Sequence, residues 1–370
     1  MIEQPSSEEQ RPDIILLVIT LILVTVGTAM IYSSSSILAM ERFKDAQFFL
    51  KKQVLFVLLG LGLMVLLTKY DYHRLKRWAY PGIVLSLILL LLIFVPHLGI
   101  RAGGARRWLN LVFFSFQVTE LVKICLVLFL AHYLTRKADQ IKTFSRGILI
   151  PLFVTLLIVA LIALEPDFGT SVLMALLMML MLYLSGSRLR HLAALTVLLI
   201  PIGVWLIAHK SYRLDRLKIF LNPWNDPGNK GFQIIQSLLS FGSGGTFGVG
   251  IGDGMQKLFY LPEPHTDFIL SVIAEESGFL GVAIVIFLFG ILVVRGFFIS
   301  FKAPDLFGML LAAGLTMVIA LGVFINIAGV MGLIPLKGLT LPFLSYGGTS
   351  LIMSLVAVGI LLNISSHEQS

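Results

Sequence analysis

Apolar runs of about 20 residues, separated by short polar stretches, dominate the chain. Ten are read, at about 14–33, 48–68, 80–96, 116–134, 148–165, 170–186, 190–208, 267–294, 306–330 and 345–364. A helix needs about 20 apolar residues to cross a hydrocarbon core of about 30 Å. In lipid only helices and closed barrels satisfy their own backbone groups. The pattern therefore predicts an all-α polytopic membrane protein with about ten transmembrane helices, forming a single membrane domain over 1–370. Only Arg11 precedes the first run as a basic residue, and its roughly 18 apolar positions exceed a signal-peptide core, so it is read as a retained first helix.

The sizeable non-spanning stretch is 209–266, between the seventh and eighth runs. It opens on Tyr212-Arg213-Leu214-Asp215-Arg216-Leu217-Lys218-Ile219-Phe220, basic and amphipathic as expected of a helix at a lipid interface. Pro223, Trp224, Pro227 and Gly228 break that helix. A second amphipathic stretch, Gln233 to Phe241, leads into a glycine cluster from Gly242 to Gly254. The cluster lacks a Gly-Lys-Ser/Thr ending and a preceding strand, which argues against a P-loop and a dinucleotide fold. It reads as a compact, flexible turn region.

Composition agrees with this class. The chain is 57% hydrophobic and 13% charged, against about 25% charged in soluble domains. Cys125 is the only cysteine, so no intrachain disulfide forms. The net charge of +8 is scattered between apolar runs, which suits loops facing anionic lipid rather than nucleic acid. Ten spans put both termini on one side. Lysines and arginines number thirteen on that side and fourteen on the other, but six of the fourteen lie in the long loop. Long loops carry little topogenic weight. Without those six the balance is thirteen to eight and favours cytoplasmic termini, with 209–266 extracytoplasmic.

Ionisable groups in or beside spans are functional candidates by default. Glu120 and Lys123 share a helix face in span four. They read equally as a self-neutralising pair or as a lysine offered to an anionic ligand and held by the acid. In Glu165-Pro166-Asp167-Phe168-Gly169-Thr170, one acid suits the N-terminus of span six, and capping leaves the other unexplained. His265, Thr266 and Asp267 introduce span eight, and Glu275 and Glu276 follow within it. Glu275 lies about 80° and Glu276 about 180° around the helix from Asp267, so the acids cannot all face lipid. Arg106 and Arg107 beside Trp108 are either an interfacial belt or a guanidinium fork for phosphate. On the ten-span topology all four sets fall on the non-cytoplasmic side. Such a vestibule suits a substrate with its tail in the bilayer and an anionic head outside; a transporter cavity is the competing reading.

The stretches Gly104-Ala105-Arg106-Arg107-Trp108-Leu109, Phe116-Gln117 through Lys123, Glu165 through Thr170, Gln256-Lys257 through Asp267 and Leu341-Pro342-Phe343-Leu344-Ser345-Tyr346-Gly347-Gly348 carry a resemblance. Together they are similar to the SEDS family of bacterial peptidoglycan glycosyltransferases. Gln256 through His265 and Lys337-Gly338-Leu339-Thr340-Leu341-Pro342 look more like the division-type members (FtsW) than the elongation-type members (RodA). Val118-Thr119 departs from the Pro-Ser that many members carry before the glutamate.

The resemblance implies an inverting polymerase of lipid II in the bacterial inner membrane, at the division septum. It also implies a class B penicillin-binding protein and divisome activators as partners. Asp267 matches the family's catalytic aspartate. A sugar hydroxyl needs a base as it attacks, and a departing diphosphate needs positive charge. Lys123, oriented by Glu120, and Arg106 or Arg107 are the expected diphosphate ligands. Glu165, Asp167, His265, Glu275, Asn326, Ser345 and Tyr346 are further candidates to line the cavity. The need for a metal is left open: no cofactor is required by this reading, and a divalent cation, Mg or Mn, would serve as well as side chains. A lipid II flippase and a non-catalytic divisome scaffold are the alternatives.

Overall fold

A computed structural model describes residues 12–102, 105–111, 114–209, 211–229, 231–255, 261, 264–336 and 338–367. Gly103, Gly104, Gln256 through Tyr260, Pro262, Glu263 and Lys337, which carry part of the family resemblance, lie outside these residues. The helices are α1 (Ile14–Phe43), α2 (Phe48–Thr68), α3 (Ala79–Leu92), α4 (Val118–Arg136), α5 (Leu149–Leu164) and α6 (Phe168–Leu184). They continue with α7 (Leu189–Ala208), α8 (Ser211–Leu221), α9 (Phe232–Gly244), α10 (Ile269–Lys302), α11 (Leu306–Val330) and α12 (Gly348–Ser365). Among the described residues, eight helical segments are long and apolar enough to cross a membrane, and α6 and α7 are shorter apolar helices.

Burial sorts these helices into layers. α4, α11 and α12 are apolar all round and buried over most of their length, so they form the centre of the bundle. α2, α3 and the second part of α10 turn apolar side chains such as Leu58, Leu66, Leu91 and Phe287 outward, as a lipid-facing layer must. At one end, Asp13 caps α1 through Leu16 N and also takes Arg295 of α10 as an ion-pair partner, while its own N–H donates to Ser365 Oγ of α12. Through its carboxylate and its backbone N–H together, Asp13 ties three helices together. At the same end, Asp305 accepts from Tyr72 Oη at 2.7 Å and from Gly308 N at 3.0 Å, fastening the segment before α3 to the start of α11.

Four features differ from the sequence expectation. α1 runs ten residues beyond the predicted end at 33, and α10 runs to Lys302 rather than 294; at 1.5 Å per residue α1 measures about 45 Å, longer than the hydrocarbon core. The stretch before span four is no plain loop: β1 (Gly99–Ala102), β2 (Ala105–Leu111) and β3 (Phe114–Gln117) form a small antiparallel sheet in that order. α9 does not use its apolar face on lipid. It buries Ile234 and Ile235, and Ser237 Oγ binds Ser271 Oγ of α10 at 2.7 Å and Val330 O of α11 at 2.6 Å.

The fourth feature is a break in α10. Gly278 sits at φ 66°, ψ −164°, which interrupts the helix. The glycine cluster fills the gap. Val249 N and Gly250 N donate to the carbonyls of Glu275 and Glu276, and Phe279 N and Leu280 N donate to the carbonyls of Gly245 and Thr246, all at 2.9–3.1 Å. The loop thus supplies the partners that the broken turn lost. Glu275 and Glu276, both buried, belong to this junction: Glu275 accepts from Met255 N at 2.8 Å, and Glu276 accepts from Ser33 Oγ of α1 at 2.8 Å. The cluster is an inserted plug rather than a free turn.

Only glycine populates the backbone region of Gly278 at low cost, and a Cβ there would meet the backbone of Thr246 and Gly248. G278A is expected to cost about 2 kcal/mol or more and to lower the thermal-unfolding midpoint in detergent. G62A, where a Cβ meets open space, should leave the midpoint unchanged or raise it.

Candidate active site

The site is assembled around an irregular stretch, residues 338–347, between α11 and α12. Its polar backbone is held by side chains. Asn326 Nδ2 donates to Leu339 O at 2.6 Å and to Asp267 O at 2.9 Å, joining this stretch to the start of α10. Ser345 Oγ donates to Thr266 O at 2.6 Å and accepts from Leu341 N at 2.8 Å. Tyr346 N donates to His265 O at 2.8 Å. Asn326, Ser345, Tyr346 and His265 therefore come together with Asp267, largely as its scaffold. The Asp267 carboxylate is half-buried and points at Gly338, where an added Cβ would lie 2.8 Å from Oδ2.

Lys123 meets the same stretch. Its Nζ donates to Glu120 Oε1 at 2.8 Å and lies 2.7 Å from Oε2, and both side chains are buried. The pair lines a pocket with Leu173, Leu339, Thr340, Pro342, Ser350 and Ser354. The space open to a water-sized sphere there is ≈ 20 Å³, enough for about one water. Glu120 and Ser350 belong to the first turns of α4 and α12, and Lys123 and Leu173 to the second turns of α4 and α6. The N-terminal ends of three helices thus face the pocket, each with the positive end of its dipole. Thr340 and Ser350, bonded to each other at 2.9 Å, were missed in the sequence. Uncharged hydroxyls at the ends of apolar runs carry no signal unless their neighbours in space are known.

A second cluster flanks the first. In β2, Leu109 is buried, so Arg107 on the same face turns inward while Arg106 is exposed. Arg107 Nε lies 3.4 Å from Asp167 Oδ2. Asp167 also caps α6, accepting from Thr170 N at 3.2 Å and Thr170 Oγ1 at 2.9 Å. β3 ends at Gln117, whose N–H donates to Thr349 Oγ1 of α12 at 3.2 Å, so the sheet bridges α4, α6 and α12 where their N-termini meet. Glu165 is 1% exposed, and among the described residues neither carboxyl oxygen has a hydrogen-bond partner. Burial first, and then the Asp167 charge, push Glu165 up to about 9 against a smaller opposing pull from Arg107. Glu165 is therefore a neutral acid at pH 7. Burial, reinforced by the Arg42 charge, pushes His265 down to about 4, so it is a neutral imidazole there.

The two clusters separate the sequence candidates by chemistry. Asp267 and Lys123 share the 338–342 stretch, whereas Arg107, Asp167 and Glu165 stand on the sheet side. Arg106 and Glu275 point elsewhere, to the surface and to the α10 junction respectively. No group of three or more His, Cys, Asp or Glu side chains among the described residues is arranged to hold a metal ion.

The family model for the cell cycle proteins FtsW, RodA and SpoVE matches residues 14–370. The chain is 46% identical over 354 residues to a probable peptidoglycan glycosyltransferase FtsW of Trichlorobacter lovleyi, covering 96% of this chain and 93% of that one. It is 41% identical over 364 residues to the stage V sporulation protein E of Bacillus subtilis, covering 98% of this chain and 100% of that one. Among solved structures it is similar to a chain from a peptidoglycan synthase complex that coordinates polymerization and crosslinking, with TM-score 0.79, 33% identity and 96% and 97% of the two chains covered. The rod shape determining protein RodA of Thermus thermophilus is also similar, at TM-score 0.69, 28% identity and 97% and 98% coverage.

The state of Glu165 has a consequence for stability. Its proton is held in the fold up to about 9 but is released near 4.5 when the chain unfolds. Between those values the folded state binds the extra proton, so the Glu165 contribution is full below about 4.5 and is lost as pH rises towards 9. E165Q carries no titrating group. Its unfolding midpoint should therefore gain on the wild type between pH 5 and pH 8.5; a difference that stays flat would mean that Glu165 is ionised in the fold.

Proposed function

Because the chain belongs to the cell cycle protein family of FtsW, RodA and SpoVE, we propose that it is an inverting peptidoglycan glycosyltransferase that polymerises lipid II. One observation carries this reading: a half-buried carboxylate, Asp267, and a buried ammonium, Lys123, address the same short stretch of backbone at the converging N-termini of three helices.

The chemistry follows from what a glycosyl diphosphate requires. Asp267 accepts the proton of the acceptor sugar's 4-hydroxyl as that oxygen attacks C1 of the growing chain's lipid-linked sugar. The C1–O bond to the diphosphate breaks, and undecaprenyl diphosphate leaves with both electrons of that bond. Attack from the opposite face turns an α-linked donor into a β-1,4 glycan. A diphosphate departs without prior protonation, so one base suffices where a glycoside hydrolase uses two carboxyl groups. The departing charge meets Lys123, held by Glu120, and the positive ends of α4, α6 and α12. Arg107 is the arginine turned towards this end, with Asp167 as its resting partner. A divalent cation bound with the diphosphate would supply the same charge.

The pocket beside Lys123 holds no more than about a water, so the headgroup enters only if residues 338–342 move aside. Two glycines, Gly338 and Gly347, bracket the stretch that has to move. In this reading both termini are cytoplasmic and the site opens to the outer face of the inner membrane at the septum. A class B penicillin-binding protein crosslinks the product, and divisome activators gate the reaction. The similarity to a chain from a complex that couples polymerization to crosslinking supports such a partner.

The test is purified protein with its penicillin-binding partner and labelled lipid II, with glycan resolved by length. D267N, which keeps the shape and removes the base, should lower polymerisation by about 10²–10⁴-fold while the variant still folds and binds the partner. R107A should slow the reaction, and R106A, altering an exposed side chain on the other face of β2, should not. Wild-type protein that translocates lipid II without making polymer would identify a flippase; D267N that polymerises normally would remove Asp267 from the chemistry.

A further inference from the structure

Gln53 lies in the second turn of α2 and is 0% exposed, yet among the described residues neither Oε1 nor Nε2 has a hydrogen-bond partner. A buried polar group left unpaired costs about 1–3 kcal/mol, and in a native fold such a group calls for a reason. An apolar side chain of the same size would be more stable at that position.

Its neighbours in the fold locate it. α2 and α12 run side by side in the same direction: Phe56 lies against Gly348, Gly60 against Leu355 and Ile352, and Met64 against Gly359. One turn earlier on the same face of α2, Phe49 packs on His265 with ring centroids 4.5 Å apart and on Tyr346 at 5.2 Å. Gln53 thus stands one helical turn from the point where α2 meets the two strands of irregular backbone that position Asp267. The bonds that hold those strands together are made by other groups: Ser345 to Thr266 O and from Leu341 N, and Tyr346 N to His265 O. The carboxamide of Gln53 is surplus to that scaffold.

We propose that Gln53 is a substrate-positioning residue. Its carboxamide hydrogen-bonds an amide of the sugar headgroup, the N-acetyl group of a hexosamine, when the headgroup enters beside residues 265–267 and 345–346. A neutral side chain with one acceptor and an –NH2 donor complements an amide, which presents the converse pair. A diphosphate presents acceptors alone and takes the cations on the α4 side. The proposal rests on the glycosyltransferase reading. It assigns the sugar and the diphosphate to opposite flanks of the stretch 338–347.

The decisive variant is Q53L in the full chain with its penicillin-binding partner, measured for thermal unfolding in detergent and for polymerisation of labelled lipid II over a range of concentrations. The expected result is an unfolding midpoint equal to or above that of the wild type. It comes with a KM raised about 3- to 10-fold, the loss of one hydrogen bond, and a kcat changed far less. Q53N, which keeps the carboxamide on a shorter stem, should recover part of the affinity. An unchanged KM at equal stability would overturn the proposal. So would a Q53L variant whose midpoint and activity fall together, because that is the signature of a structural amide. Wild-type protein that makes no glycan would overturn the glycosyltransferase reading and this proposal with it, whereas a D267N effect combined with a normal Q53L KM would overturn this one alone.

Discussion

Irregular backbone can lie at the depth of a helical membrane bundle only where every exposed N–H and C=O finds a partner. That constraint shapes the site. The stretch 338–347 interrupts the helical path between α11 and α12, and its groups are satisfied by Asn326, Ser345 and the backbone of His265. The same bonds fix the backbone on either side of Asp267. The carboxylate is thereby held on a scaffold that is itself polar, non-helical and bracketed by glycines. A helix in that place would bury its own backbone and offer a ligand nothing. The scaffold's incompletely helical character and the half-buried position of the Asp267 carboxylate are two aspects of one arrangement.

Charge is handled differently on the two flanks. Lys123 and Glu120 neutralise each other at 2.7–2.8 Å in a buried position, where removing one partner would strand the other at a cost of about 3–5 kcal/mol. On the sheet side, Arg107 and Asp167 form a looser pair at 3.4 Å, and Glu165 stays protonated beside them. A second ionised carboxylate next to Asp167 would repel it, and holding the proton avoids that. Lys123 and Arg107 are therefore each neutralised by an acid, as cations held in a low-dielectric interior must be.

The spans were legible because hydropathy over about 20 residues is a strong, local signal. So were Asp267, Lys123 and Glu120 as candidates, since ionisable groups are expensive at those positions. Their common approach to residues 338–342 was not, because it depends on how α4, α10 and α12 pack. The break at Gly278 was hidden because Glu275 and Glu276 before it read as charges within one continuous span, and its repair comes from a glycine cluster more than twenty residues upstream. The choice between Arg106 and Arg107 required a strand register, and the stretch before span four read as a loop because its glycines are depleted in strands and Trp108 beside arginines reads as a membrane-interface belt. Gln53 passed unnoticed for a simpler reason. A neutral amide within an apolar run is no outlier on a hydropathy scale, and only the count of its missing partners makes it one.

The plug in α10 ties the site to the segment that precedes it. The first part of α10, Ile269 to Ser277, begins next to Asp267 and ends at carbonyls that receive Val249 N and Gly250 N. The second part starts with N–H groups that donate back to the same loop. α9, from which that loop emerges, is fixed to both α10 and α11 through Ser237. A force applied to α9 or to the glycine cluster would therefore be felt at both ends of the first part of α10, and hence at the backbone of Asp267. Hydrogen bonds made by a loop across a break can be exchanged for others at little net cost, because each donor and acceptor only changes partner. A continuous helix would lack that freedom. The break thus joins the helical segment that starts beside Asp267 to the connecting segment by hydrogen bonds alone, while the buried core of α4, α11 and α12 surrounds Lys123.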